Sequence, residues 1–171
     1  MAPEATGNGS SAPQPDGPDA QPPPQLIINA QYIKDLSFEN PHAPASLRPQ
    51  ATQPAVEINV DVQAQGMGME NYEVVLTIKA SAKTPDQVMF IIELAYAAVV
   101  TAREVPQELV SSVVLVETPR LIFPFARNII AETTRDGGFP PLMINPIDFA
   151  ELLRRNAGAQ GAAATPISGT A

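Results

Sequence analysis

Leu26-Ile27-Ile28-Asn29-Ala30-Gln31-Tyr32-Ile33-Lys34-Asp35-Leu36-Ser37-Phe38-Glu39 is the stretch whose reading decides the fold class. Leu26, Ile28, Ala30, Tyr32, Leu36 and Phe38 share one parity, and Asn29, Gln31, Asp35, Ser37 and Glu39 share the other; Ile27 and Ile33 are out of step. A period of two marks a strand with one buried face. The same period returns in Val56–Ala64, where Val56, Ile58, Val60 and Val62 alternate with Glu57, Asn59, Asp61 and Gln63. It returns again in Tyr72–Ala82, through Tyr72, Val74, Leu76, Ile78 and Ala80. Gln65-Gly66-Met67-Gly68 and Thr84-Pro85-Asp86 read as turns. Between the first two strands lie Pro41, Pro44, Pro49 and Pro54, each removing a donor and biasing its predecessor to extended backbone. That segment reads as a long, stiffened connection and not as a hairpin turn.

Gln87–Val100 fits either a buried helix or a fourth strand, since Val88, Met89, Phe90, Ile91, Ile92, Leu94, Ala95 and Tyr96 are apolar. Its β-branched and aromatic content, and the three strands before it, favour a strand. Beyond Pro106 the pattern turns helical. Gln107–Val116 and Leu121–Thr134 read as two helical stretches split by Pro119, closed by Arg135-Asp136-Gly137-Gly138. Asn145-Pro146-Ile147-Asp148 has the order N-cap, first-turn proline, first-turn acid, and starts a C-terminal helix with Phe149, Leu152 and Leu153 on its apolar face. Four strands followed by helices make an α+β domain with an antiparallel sheet.

The ends read differently. Residues 1–25 hold seven of the 19 prolines with Gly, Ser, Gln and Asp, and are expected to be a disordered tail; residues 157–171, rich in Ala, Gly, Thr and Ser, are expected to be another. The folded domain is then residues 26–156, enough chain to bury a core.

Composition excludes several activities. The chain has no cysteine, so it has no disulfide framework, thiolate metal site or cysteine nucleophile. One histidine, His42, rules out a multi-histidine metal cluster within the chain. Ten Lys+Arg against 18 Asp+Glu give a net charge of −8, which argues against a nucleic-acid binder. No basic leader precedes an apolar run, and no run approaches the ~20 apolar residues of a membrane span, so a cytoplasmic protein without direct membrane insertion is expected. Asp35 and Glu39 share a strand face and are candidates for acid–base work, yet a solvated face is the commoner role. No nucleophile, orienting group, phosphate loop or cofactor motif accompanies them, so no catalytic residue, metal or cofactor is expected. One surplus stands out. The fourth strand is apolar on both parities, and Leu109–Ile130 is apolar nearly all round. A helix of that kind must be covered on more than one side, which points to a homo-oligomer with helices between subunits.

Tyr32-Ile33-Lys34-Asp35-Leu36-Ser37-Phe38-Glu39-Asn40-Pro41-His42-Ala43-Pro44 resembles the first strand of the SecB protein-export chaperones. Tyr72-Glu73-Val74-Val75-Leu76 resembles their third strand. Leu121-Ile122-Phe123-Pro124-Phe125-Ala126-Arg127 resembles their long-helix signature, and Gly138-Phe139-Pro140-Pro141-Leu142 with Asn145-Pro146-Ile147-Asp148-Phe149 their closing segment. The resemblance implies a four-stranded antiparallel sheet with a long broken helix and a C-terminal helix on one side, assembled as a tetramer, a dimer of dimers. It implies an ATP-independent holdase, not an enzyme, that keeps secretory precursors unfolded in the cytoplasm and delivers them to the SecA motor of the translocon. An adaptor or antitoxin-associated chaperone on the same fold is the alternative.

Site residues follow from the same resemblance. Asp35, Glu39, Ile91 and Glu93 match the surface that binds SecA. Tyr32, Leu47 and Phe149 are candidate walls of a peptide groove, with Met67 and Met69 as an adaptable margin. Phe90, Ile92, Leu94 and Tyr96 match positions implicated in subunit assembly, with Ile92 where the family has a cysteine. The crossover lacks the family's aromatic before Gln-Pro: Thr52 precedes Gln53-Pro54. The charge is uneven too, with −4 on residues 26–101 and only −1 on residues 102–171.

Overall fold

A computed structural model describes residues 23–50 and 52–162. Most of the expected N-terminal tail and residues 163–171 of the expected C-terminal one therefore lie outside the described residues. Strands β1 (Gln25–Glu39), β2 (Ala55–Gly68), β3 (Asn71–Lys83) and β4 (Val88–Arg103) form one antiparallel sheet in the order β1-β4-β3-β2. The ambiguous apolar run is thus the central strand β4, whose burial on both faces explains why it lacks alternation. The proline-punctuated connection crosses one end of the sheet and carries the chain from the β1 edge to the β2 edge, with a short 3-10 turn at Ala45–Leu47. Inside it the buried Ser46 hydroxyl donates to Asn40 Oδ1 at 2.6 Å, and Gln50 Nε2 donates to the Arg48 carbonyl at 2.8 Å.

Helix α1 (Gln107–Ser112) runs through a π-helical turn, Val113–Glu117, into α2 (Thr118–Asp136). Pro119 was expected to split this region. Instead the helix widens into the π turn just before it, where a change of hydrogen-bond register absorbs the donor that proline lacks, and Pro124 sits inside α2. Residues Gln107–Asp136 form one helical run long and apolar enough, by composition, to cross a membrane. Here Val114, Val116, Ile122, Phe123, Ala126 and Ile130 are instead packed in the core with Val74, Leu76, Ile78, Ile92 and Leu94 of the sheet. Fully burying each valine, leucine, isoleucine or phenylalanine among them stabilises by about 1.5–3 kcal/mol.

Helix α3 (Phe149–Ala162) begins three residues later than Asn145-Pro146 suggested. The cap is Asp148, whose Oδ1 accepts the Glu151 backbone N–H at 3.0 Å. The helix continues past Asn156, the expected domain boundary, so Arg154 and Arg155 pair with Glu151 within it rather than closing its end. At the end of α2, Gly138 takes φ +88° and Phe139 N–H returns to the Thr134 carbonyl at 3.1 Å, the left-handed ending expected there. A Cβ at Gly137 would clash with the Phe38 ring, which is itself stacked on Phe90 at 5.8 Å.

The β2–β3 turn also differs. β2 runs on through Gly68 with an irregularity between Gly66 and Gly68, and the reversal falls at Met69 and Glu70. Both take positive φ, 49° and 61°, as a primed hairpin turn requires. Asn71 Nδ2 holds the turn by donating to the carbonyls of Gly68 and Met69 at 3.2 and 3.0 Å.

Candidate functional site

The sheet has two unlike faces. On β2, β3 and β4 from Phe90 onward the even-numbered residues take the helix side and the odd-numbered ones form an open face, while an irregularity at the start of β4 puts Met89 in the core. β1 follows this rule only with help from two bulges, between Ile28 and Ala30 and between Ile33 and Asp35. Each adds one residue and reverses the parity. Leu26, Ile28, Leu36 and Phe38 therefore pair with Ala102, Val100, Leu94 and Ile92 on the helix side. Between the bulges the phase is inverted: Gln31 and Ile33 face the helices, and Ala30 and Tyr32 move to the open face. Ile33, out of step in the sequence, is the one visible trace of this inversion.

Both extra residues are held from across the sheet. Asn29, in the first bulge, donates through Nδ2 to Thr101 Oγ1 at 2.8 Å, and that hydroxyl donates to Asn71 Oδ1 on β3 at 2.6 Å. Lys34, in the second, donates to both Glu73 carboxylate oxygens on β3 at 2.8 Å. The Tyr32 hydroxyl reaches over β4 to the same carboxylate. Lys34 first, then Tyr32, hold the Glu73 carboxyl below the usual carboxylate range. The Tyr32 phenol is raised in turn, first by its hydrogen bond to Glu73 and then by burial. Ala97, the residue opposite Tyr32 on β4, has no exposed surface, so part of the second apolar parity of β4 is covered within the chain.

Below the second bulge, Asp35, Ser37 and Glu39 lie opposite Ala95, Glu93 and Ile91. Directly opposed residues share a face, and their diagonal neighbours lie about 7–8 Å away. Asp35, Glu39, Ile91 and Glu93 therefore form one patch, centred on the Ser37–Glu93 pair, with Ile91, 39 % exposed, at its Glu39 end. Lys79 on β3 pairs with Glu93 at 2.7 Å and closes the patch on that side. Next to it a recess of about 270 Å³ is bounded by Glu57, Asn59, Lys79, Lys83 and Ile91. The chain's three lysines all lie on this face, and each is ion-paired with a glutamate: Lys34–Glu73, Lys79–Glu93 and Lys83–Glu57. Asp35 and Glu39 form no ion pair among the described residues.

The candidate groove residues do not converge. Tyr32 is on the open face, clasped by Glu73. Leu47 is 47 % exposed on the crossover, against Gly138. Phe149 is 2 % exposed and meets Phe123 edge-on at 5.9 Å, so it is a core residue and not a groove wall. Phe90, Ile92, Leu94 and Tyr96 are likewise buried within the single chain, where they support the helices rather than present a surface to a second copy. The exposed apolar positions that sequence reasoning passed over are on the helix side of the two edge strands: Ile33 and Leu36 on β1, Val56 and Ile58 on β2. The helices cover the middle of the sheet and leave these margins open. At the hairpin tip Met67 and Met69 are exposed, Met69 by 90 %.

Residues 19–160 match the family model described as preprotein translocase subunit SecB. The chain is 51 % identical over 164 residues to the protein-export protein SecB of Bradyrhizobium sp. (strain BTAi1 / ATCC BAA-1182), an alignment covering 94 % of this chain and 98 % of that one. It is 53 % identical over 149 residues to the protein of the same name from Rhodopseudomonas palustris (strain TIE-1), covering 87 % and 92 %. Among solved structures, a SecB-like chaperone of Mycobacterium tuberculosis, in complex with a ChAD peptide from the HigA1 antitoxin, superposes with a TM-score of 0.55 at 14 % identity, covering 71 % of this chain and 90 % of that one. At that identity the likeness is one of fold.

Proposed function

This chain belongs to the SecB family of protein-export chaperones, and from that premise we propose that it holds secretory precursors unfolded in the cytoplasm and passes them to SecA, without nucleotide and without catalysis. The observation that carries the reading is the division of labour between the two faces of one sheet. The open face has an acidic patch whose Asp35 and Glu39 are unpaired among the described residues, with the exposed Ile91 opposite Glu39 at one end. A basic segment of SecA suits it, steered by charge, with the apolar Ile91 at one end to seat it.

The helix side has apolar margins along both edge strands, Ile33 and Leu36 with Leu47 at one edge and Val56 and Ile58 at the other. Edge strands also offer unpaired backbone groups, which an extended client of any sequence can use, while the apolar margin takes alternate side chains. Leu109, Leu121 and Phe125, exposed on α1 and α2, suit burial between subunits of a homotetramer. The alternative, an antitoxin-associated chaperone, has only the fold likeness to the mycobacterial protein behind it.

Two measurements test the function. A urea-unfolded precursor is expected to bind tightly and its folded form weakly; equal affinity for both overturns the holdase reading. SecA affinity is expected to fall about tenfold or more in Glu39→Arg, with a shallower salt dependence, because a like charge then meets the basic segment. Unchanged SecA binding removes the acidic patch from the interface.

A further inference from the structure

We propose that Glu73 is a positioning residue for the acidic face: through Lys34 and Tyr32 it pins the second bulge of β1, and with it the register that interleaves Asp35 and Glu39 with Glu93. The inference rests on the reading of that face as the SecA dock.

The two bulges together leave the parity of β1 unchanged at its two ends. Because they cancel in parity, a straight β1 would still send Leu26, Ile28, Leu36 and Phe38 to the helix side. The hydrophobic core therefore does not require the pair, although loss of the second alone would turn Leu36 and Phe38 to the open face. What they alter is the slide of β1 along β4. At the start of β1, Ile28 lies opposite Val100; after both bulges Asp35 lies opposite Ala95 and Ser37 opposite Glu93. Without the bulges the pairing that aligns Ile28 with Val100 would continue unbroken and set Asp35 directly against Glu93. Two carboxylates directly opposed repel. With the bulges, Ser37 takes the position facing Glu93, and Asp35 and Glu39 flank it on the diagonals, with Glu39 beside Ile91.

A bulge leaves its extra residue without a ladder partner and needs something to hold it. Lys34 is held by the Glu73 carboxylate, whose side chain is only 17 % exposed beneath Lys34 and Tyr32. Neither Lys34 nor Glu73 belongs to the patch itself. The clasp therefore acts on the dock through the strand, by fixing where Asp35 falls.

Sign separates this from simple charge arithmetic. Glu73→Gln leaves the Lys34 cation unpaired near the patch, and Lys34→Met leaves the Glu73 anion unpaired. If only net charge mattered, the first would weaken SecA binding and the second would strengthen it. If the clasp positions the patch, both weaken it, by about tenfold, the order of coupling within one ion-pair network. The charge-swapped pair Lys34→Glu/Glu73→Lys then restores affinity to near the parent value. Tighter SecA binding by Lys34→Met, parent-like binding by both single variants, or no recovery in the swapped pair overturns the proposal. Asp35→Asn/Glu39→Gln runs alongside: if that variant binds SecA like the parent, the docking reading fails and takes this inference with it. If it binds weakly while the clasp variants bind normally, only the inference fails.

Discussion

Thr134 and Thr118 are both fully buried on α2, and they show how differently one residue type serves. The Thr134 hydroxyl donates to the Ile130 carbonyl at 2.9 Å and accepts the Leu142 backbone N–H at 2.9 Å, tying the segment after α2 back onto the helix. The Thr118 hydroxyl has no partner among the described residues. Removing one member of a buried pair strands the other, whereas removing an unpaired hydroxyl strands nothing. In urea denaturation Thr134→Val is expected to lose about 1–3 kcal/mol, because Leu142 N–H is left without an acceptor. Thr118→Val is expected to be neutral or stabilising in the same titration, since an unsatisfied polar atom is exchanged for a methyl group of similar size.

The elements carry their own signals at their ends, and these explain where the helices start and stop. At α3 the residues Asn145-Pro146 suit a helix start, but Asp148 supplies the cap, with Ile147 and Leu152 on either side of it packed against the core. The Asp148 carboxyl is held below its ordinary range, first by the Glu151 backbone N–H. A carboxyl depressed in the folded state contributes stability that is complete above its unfolded pKa and disappears as pH falls through the folded one. Asp148→Ala is therefore expected to be less stable than the parent at neutral pH. The gap should narrow as pH falls below the ordinary carboxylate range and vanish once Asp148 is protonated, as urea midpoints across that range will show.

At the scale of the molecule, charge and apolar surface are sorted by layer. Lysines are confined to the open sheet face and arginines to the helices, the crossover and the end of β4. The helical run spends one face on the sheet and leaves Leu109, Leu121 and Phe125 outward, with Phe125 52 % exposed. On the proposed assembly, these residues, on a helix already packed on one side, are the ones a second copy covers. Phe125→Glu is expected to lower the native mass, measured by light scattering, from a tetramer to a smaller species with the helical content retained. A parent chain that runs at 18.1 kDa would defeat the assembly model.

Strands, helices and family are written locally in this chain. Alternation in Val56–Ala64 and Tyr72–Ala82, the apolar run of β4 and the Asp35/Glu39 spacing are each encoded within a few residues, because side-chain direction in a strand repeats every second position. That is why the sheet, and the placing of Asp35 and Glu39 on one face of it, could be read directly. Tertiary structure alone decided the phase of Ala30–Ile33, the continuity of the helix through Pro119, the burial of Phe149 and the clasp of Lys34 on Glu73. Those outcomes depend on groups far apart in sequence, 39 residues in the case of the clasp. No local pattern records which strand will lie alongside or how far it slides, and only when β3 and β4 are in place does a bulged lysine find the carboxylate that holds it.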